Sequence, residues 1–123
     1  MKVLALDYGS ARTGVAVSDP TGELARPLGV VERARSEAGL GRLADIVAEE
    51  EAELVVVGLP LTLAGERGEQ AQETEAFVEV LRAVLDVPVE TYDERFTSVL
   101  AEGDDARAAA HLLSDYLHWS RQS

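Results

Sequence analysis

The start of the chain constrains its fold most strongly, because an apolar strand there ends in an acid. Residues 2–7 are mostly apolar with little alternation, which is typical of a central strand covered on both faces. Asp7 ends this strand, and after a tight turn a second strand is predicted over Thr13–Ser18. A carboxylate beside a core loses much of its hydration. Hydrogen bonds, a cation or a metal ion must therefore replace that water at Asp7.

The rest of the chain alternates between strand and helix patterns. Asp19-Pro20-Thr21-Gly22 predicts a turn. The other predicted elements are a strand over residues 28–31, a helix capped by Ser36, a strand over Glu53–Gly58, a helix over Glu69–Leu85, a strand over Val87–Tyr92 and a helix over Asp104–Arg121. The order β-β-β-α-β-α-β-α predicts a single α/β domain spanning residues 1–123. It should contain a five-stranded mixed sheet with helices on both faces.

Composition limits the class of protein. Hydrophobic residues make up 46% of the 123 residues, and no apolar run approaches the roughly 20 residues of a membrane-spanning helix. The first residues are interrupted too soon for a signal peptide. Cysteine is absent, which excludes disulfides and thiolate zinc sites and suits a reducing compartment. We therefore expect a cytoplasmic protein without membrane contact.

The net charge of -12 argues against binding to polyanions, which usually requires a basic surface. Ten of the eleven basic residues are arginines, and their collection on one face would offer an alternative. A metal ion that neutralises carboxylates locally would offer another. Composition alone favours a protein that does not bind polyanions.

Three acidic segments are predicted to meet at one edge of the sheet, outside the carboxyl ends of the parallel strands. They are Asp7, Asp93-Glu94 and Asp104-Asp105. Like charges about 4 Å apart repel by on the order of 4 kcal/mol at an effective dielectric of 20. Mg²⁺ or Mn²⁺ would remove that repulsion, and two such ions about 4 Å apart can support phosphodiester hydrolysis.

Each acid also has a purely structural explanation. Asp7 can cap the turn that follows it, and Asp104 or Asp105 can be the N-cap of the last helix. Asp93-Glu94-Arg95 can be a solvated turn with an internal ion pair. The sequence leaves both explanations open.

Two other segments suit phosphate binding. The glycine-rich stretch over residues 58–68 offers backbone N–H groups, but it lacks the Lys-Ser/Thr of a P-loop and also suits a plain crossover loop. Thr97-Ser98 can hydrogen-bond a phosphate or cap a short helix. His111 and His118 receive no role.

Four motifs, in order, resemble those of one known family over nearly the whole chain. They are residues 6–19, Val57-Gly58-Leu59-Pro60 with Gly65, Gly68 and Gln70, Asp93-Glu94-Arg95-Phe96-Thr97-Ser98, and the last helix with Asp105, Ala108-Ala109, Leu112-Leu113 and Tyr116-Leu117. The family is YqgF/RuvX, bacterial proteins with the RNase H-like fold that are related to the Holliday junction resolvase RuvC.

The resemblance implies a metal-dependent nuclease. Its catalytic and metal-binding acids would be Asp7, Glu94 and Asp105, with Mg²⁺ or Mn²⁺ as cofactor. The implied substrate is the 5′ end of pre-16S rRNA or, alternatively, branched DNA, bound by a monomer or a homodimer. The guanidinium fork suits phosphate oxygens. The predicted nucleic-acid contacts are Arg12, Arg95, Thr97 and Ser98.

One departure from the family pattern lies just before the last helix. Family members usually carry a longer, basic segment there, whereas Ala101-Glu102-Gly103 runs directly into Asp104-Asp105. Either the chain has lost this segment, or residues are missing between Gly103 and Asp105. A Cα–Cα distance well above about 3.8 Å would reveal missing residues.

Two rival functions remain open. The Asp-x-Gly hairpin also occurs in actin-like and sugar-kinase folds, so a fragment of a nucleotide-binding phosphotransferase is one alternative. Such enzymes need a second lobe, for which 123 residues leave no room. The other alternative is a non-catalytic rRNA-binding factor in ribosome assembly that keeps the fold.

Overall fold

The computed structural model of the chain describes residues 1–60, 68–93 and 105–122. Within these ranges the elements follow the predicted order. They are β1 (Val3–Asp7), β2 (Arg12–Ser18), β3 (Ala25–Glu32), α1 (Glu37–Glu50), β4 (Leu54–Leu59), α2 (Glu69–Val84), β5 (Val89–Asp93) and α3 (Asp105–Gln122). No described helix is both long enough and apolar enough to cross a membrane.

The strands form one mixed sheet with the order β3-β2-β1-β4-β5. The pairs β1–β2 and β2–β3 are antiparallel, whereas β1–β4 and β4–β5 are parallel. β1 is therefore the central strand, and its residues from Val3 to Leu6 are all buried. The prediction of an apolar central strand that ends in an acid is confirmed.

Helices cover both faces of the sheet, as predicted. Leu4 and Leu6 of β1 belong to a core cluster with residues of α1 and α2. Val3 and Ala5 belong to a second cluster, built with α3. Because side chains of a strand alternate between the faces, Asp7 follows Val3 and Ala5 onto the α3 face.

The bounds of the elements differ modestly from the sequence prediction. β3 extends over eight residues rather than four, because Arg26 and Pro27 interrupt the apolar pattern but still pair with β2. β3 is an edge strand, where proline is tolerated. α1 begins as predicted, since the hydroxyl of Ser36 accepts a hydrogen bond from the Gly39 N–H at 3.0 Å.

Candidate functional site

Asp7 occupies an unfavourable position for a charged group. It ends the central strand, is partly buried and pairs with Gly14 of β2 in the antiparallel ladder. Burial and, second, the negative charge of Asp105 raise the pKa of Asp7 from 3.8 to about 6. No hydrogen-bond donor within the described ranges reaches its carboxylate. Asp7 is thus a partly desolvated acid whose main electrostatic neighbour is another acid.

The turn after Asp7 is held by other groups. The Gly9 N–H donates to the Thr13 hydroxyl, which donates in turn to the Gly9 carbonyl, both at 3.4 Å. The ring of Tyr8 stacks on Phe77 of α2 with ring centroids 4.3 Å apart. These contacts anchor both sides of the turn, and the explanation of Asp7 as a turn cap finds no support.

Gly14 allows the first turn of α3 to lie directly against β2. A Cβ atom at Gly14 would collide with the backbone carbonyl of Asp105. Ala109 and Leu112, one and two turns further along α3, are fully buried, so the inward face of this helix is the predicted one. The close contact places Asp105 beside the ladder partner of Asp7.

The role of Gly14 was not predicted from the sequence. A glycine within a β-branched strand was the available signal, because such glycines often mark a close approach of another backbone. The sequence does not say which backbone approaches, and only the packing of α3 on β2 identifies it.

Arg12 begins β2 and forms an ion pair with Asp105, with 3.3 Å between Nε and Oδ2. The Arg12 side chain is 63% exposed, so the ion pair contributes at most about 1 kcal/mol to stability. Arg12 lies at the edge of the sheet where the acidic segments were predicted to meet. Among the described residues, its ion-pair partner is the carboxylate of Asp105, which belongs to the candidate site. The Arg12 guanidinium thus stabilises the negative charge of Asp105 rather than that of Asp7.

The third acidic segment is only partly described. Asp93 ends β5, which is two strands away from β1 and therefore about 10 Å distant. Val89 of β5 packs on the α1–α2 side and Tyr92 on the α3 side. The alternation places Asp93 on the face opposite Asp7.

Several predicted features lie outside the described residues. They are Glu94, Arg95, Thr97 and Ser98, residues 61–67 of the glycine-rich stretch, and the junction of Gly103 with Asp104. Their proposed roles remain predictions.

The described acids form a pair rather than a complete metal centre. Across residues 1–60, 68–93 and 105–122, no three His, Asp or Glu side chains come together as a metal-binding group. Asp7 and Asp105 nevertheless supply the carboxylate oxygens that Mg²⁺ and Mn²⁺ prefer. Because burial and the neighbouring charge of Asp105 both penalise the ionised form of Asp7, a cation would relieve both costs. The donor set fits a hard divalent ion.

Sequence comparisons relate the chain to a family with nucleic-acid substrates. The family model described as "RuvX: Holliday junction resolvase" matches residues 1–118. A Chloroflexus aggregans protein named "Putative pre-16S rRNA nuclease" is 48% identical, covering 94% of this chain and 92% of the relative. A relative of the same name from Desulforudis audaxviator is 38% identical, covering 100% of this chain and 97% of the relative. That alignment spans 138 positions against 123 residues here, so the relative contains residues without a counterpart in this chain.

Solved structures share the fold. RuvC from T. thermophilus, solved in complex with a Holliday junction substrate, superposes with a TM-score of 0.60 at 18% identity, covering 100% of this chain and 96% of RuvC. The Fowlpox virus resolvase, solved with Holliday junction DNA, gives a TM-score of 0.50 at 10% identity, covering 98% of this chain and 96% of the resolvase. The predicted RNase H-like architecture is confirmed.

Proposed function

This chain belongs to the RuvX family, and from that premise we propose that it is a metal-dependent nuclease that hydrolyses phosphodiester bonds. The observation that carries the proposal is the pairing of Asp7 with Asp105 at the end of the central strand. The names of the curated relatives favour processing of the pre-16S rRNA 5′ end. The description of the family model makes resolution of branched DNA the second candidate.

The residues that would hold the cation are Asp7, Asp105 and Glu94. Glu94 directly follows Asp93 at the end of β5, so this assignment rests on its place in the sequence and on the family resemblance. These residues would hold Mg²⁺ or Mn²⁺, which would supply an activated water and stabilise the leaving oxygen. Asp7 remains largely ionised at neutral pH, since its raised pKa of about 6 still lies below 7.

The other residues orient the acids and the substrate. Arg12 and the close contact at Gly14 fix Asp105 from the side chain and from the backbone, respectively. A guanidinium carries five N–H donors, so the exposed Arg12 can bind a phosphate oxygen while it contacts Asp105. Arg95, Thr97 and Ser98 would add further phosphate contacts.

The test is a cleavage assay with four substrates, namely pre-16S rRNA with its 5′ extension, a four-way DNA junction, single-stranded RNA and duplex DNA. With Mn²⁺ present, the wild type should cleave one of the first two preferentially. D7N, D105N and E94Q should each lose at least a hundredfold in rate. D45N, which alters an exposed acid of α1, is the control.

Two results would overturn this proposal. Undiminished cleavage by D7N would remove Asp7 from the mechanism. Binding of precursor rRNA without any metal-dependent cleavage would instead favour the non-catalytic assembly factor.

A further inference from the structure

Arg33, directly after β3, has a backbone conformation that is unusual for its residue type. Its φ is 48°, in the left-handed region that favours glycine and asparagine. A residue with a bulky side chain adopts this region only at an energetic cost, because its Cβ crowds the neighbouring carbonyl oxygen. Such positions cluster at functional sites, where surrounding contacts enforce them.

Contacts on both sides hold this conformation. The Arg33 N–H donates to the carbonyl of Ala11 in the β1–β2 turn at 3.0 Å. The Arg33 carbonyl accepts from the N–H and the hydroxyl of Ser36 at 2.9 and 2.7 Å. Gly39 adjoins the same carbonyl, and a Cβ there would collide with it. The backbone of Arg33 is thus fixed between the turn after Asp7 and the first turn of α1.

Arg33 is exposed and borders a surface cleft beside the candidate metal site. The cleft is lined by Ser10, Ala11, Arg12, Glu32 and Arg33. Arg12 contacts Asp105 and so joins the cleft to the acidic pair. The charged residues of this lining are two arginines and one glutamate, in a protein of net charge -12. No described carboxylate lies within ion-pair distance of Arg33.

We propose that Arg33 and Arg12 bind a backbone phosphate of the nucleic acid next to the cleaved phosphodiester. The proposal rests on the proposed nuclease function and extends it by a substrate-binding subsite. Two guanidinium forks, one at the start of β2 and one directly after β3, suit phosphate oxygens, and Ser10 adds a hydroxyl donor to the same cleft. RNA and DNA both supply this phosphate chemistry.

Binding measurements on D7N separate affinity from cleavage. The probes are a labelled single-stranded RNA of about 20 nucleotides and a four-way DNA junction, titrated by fluorescence anisotropy at several salt concentrations. R33Q in this background should weaken binding about tenfold and should lower the slope of log K against log salt by about 0.7 to 0.9. If R33Q weakens the binding of only one of the two probes, that probe identifies whether RNA or DNA supplies the phosphate.

R26Q is the matched control, because Arg26 lies at the other end of β3 with a side chain that is 62% exposed. It removes the same charge and should leave the affinity and the salt slope unchanged. R33G serves as a second variant, because glycine accepts the left-handed backbone. R33G should melt no lower than the parent protein and should lose affinity as R33Q does.

Equal affinities and slopes for R33Q and R26Q would overturn this inference, even if the wild type cleaves nucleic acid. If the parent D7N protein binds neither probe and the wild type cleaves neither, both the proposed nuclease function and the inference about Arg33 fail.

Discussion

Replacing Asp7 with asparagine should stabilise the metal-free protein while abolishing its activity. Asparagine keeps the shape of the side chain and removes the charge. In the folded protein that charge is penalised by burial and, second, by Asp105, which together raise the pKa of Asp7 from 3.8 to about 6. A group that binds its proton more tightly in the folded state destabilises the fold once it is ionised.

The magnitude follows from the pKa. At about 1.36 kcal/mol per pH unit, the difference between 3.8 and about 6 corresponds to an upper bound of ~3 kcal/mol. Because Asp7 is only partly buried, solvent screening reduces this to about 1–2 kcal/mol. For a domain of this size the gain equals about 4–8 °C in Tm.

The sign and the pH window are equally specific. Well below pH 3.8, Asp7 is protonated in both the folded and the unfolded state, so the charge contributes nothing. As the pH rises from 3.8 through about 6, the wild type loses stability relative to D7N, and the difference is constant at higher pH.

Urea denaturation in EDTA, from about pH 3.5 to 8, measures the difference in unfolding free energy between the wild type and D7N. D45N, at an exposed position of α1, is the control and should follow the wild type. D105N should raise the unfolding free energy by only part of the amount expected for D7N, because burial is the larger cause of the raised pKa of Asp7. Saturating Mn²⁺ should then stabilise the wild type, by about 2.7 kcal/mol at a hundredfold excess over Kd, but not D7N.

A D7N protein that is no more stable than the wild type near pH 7.5 in EDTA would refute this reasoning. It would mean that some group of the protein already compensates the charge of Asp7. The argument that the acidic pair requires a cation would then lose its basis.

Three further variants test other parts of the structure. G14A should displace the first turn of α3 at Asp105, lower the unfolding free energy by about 1–3 kcal/mol and weaken Mn²⁺ binding at least tenfold by calorimetry. G29A is its control, because a Cβ there meets nothing within 4 Å, and equal Mn²⁺ affinities would contradict the role of Gly14. Hydrogen bonds lower the pKa of Asp19 to about 2, so its stabilising effect is present above pH 3.8 and is lost as the pH falls towards 2. Melting curves of D19A should therefore lie below those of the wild type at neutral pH and converge with them near pH 2; a constant offset would argue against these hydrogen bonds. F77A removes a fully buried ring and should lower the unfolding free energy by about 3–5 kcal/mol, as measured by urea denaturation. A loss below about 1 kcal/mol would show that Tyr8, which stacks on Phe77, and the surrounding side chains collapse into the vacated space.

The sequence predicted the order of the elements well, because hydrophobic periodicity is a local property. The unbroken apolar run of β1 and the cap at Ser36 have local signals and were placed correctly. β3 was predicted too short, since pairing with β2 rather than an apolar pattern defines its first residues. Sheet pairing depends on the partner strand, which the local pattern does not contain.

The chain by itself determined which acids and arginines are available and where the central strand ends. Only the tertiary structure decided which of them meet. Asp7 and Asp105 become neighbours because α3 packs across β2, and Gly14 permits the contact only because it has no side chain. Arg33 was not singled out in the sequence, because its significance lies in a left-handed backbone held by the turn after Asp7. Contacts between distant segments depend on strand order and helix packing, and no local pattern encodes either.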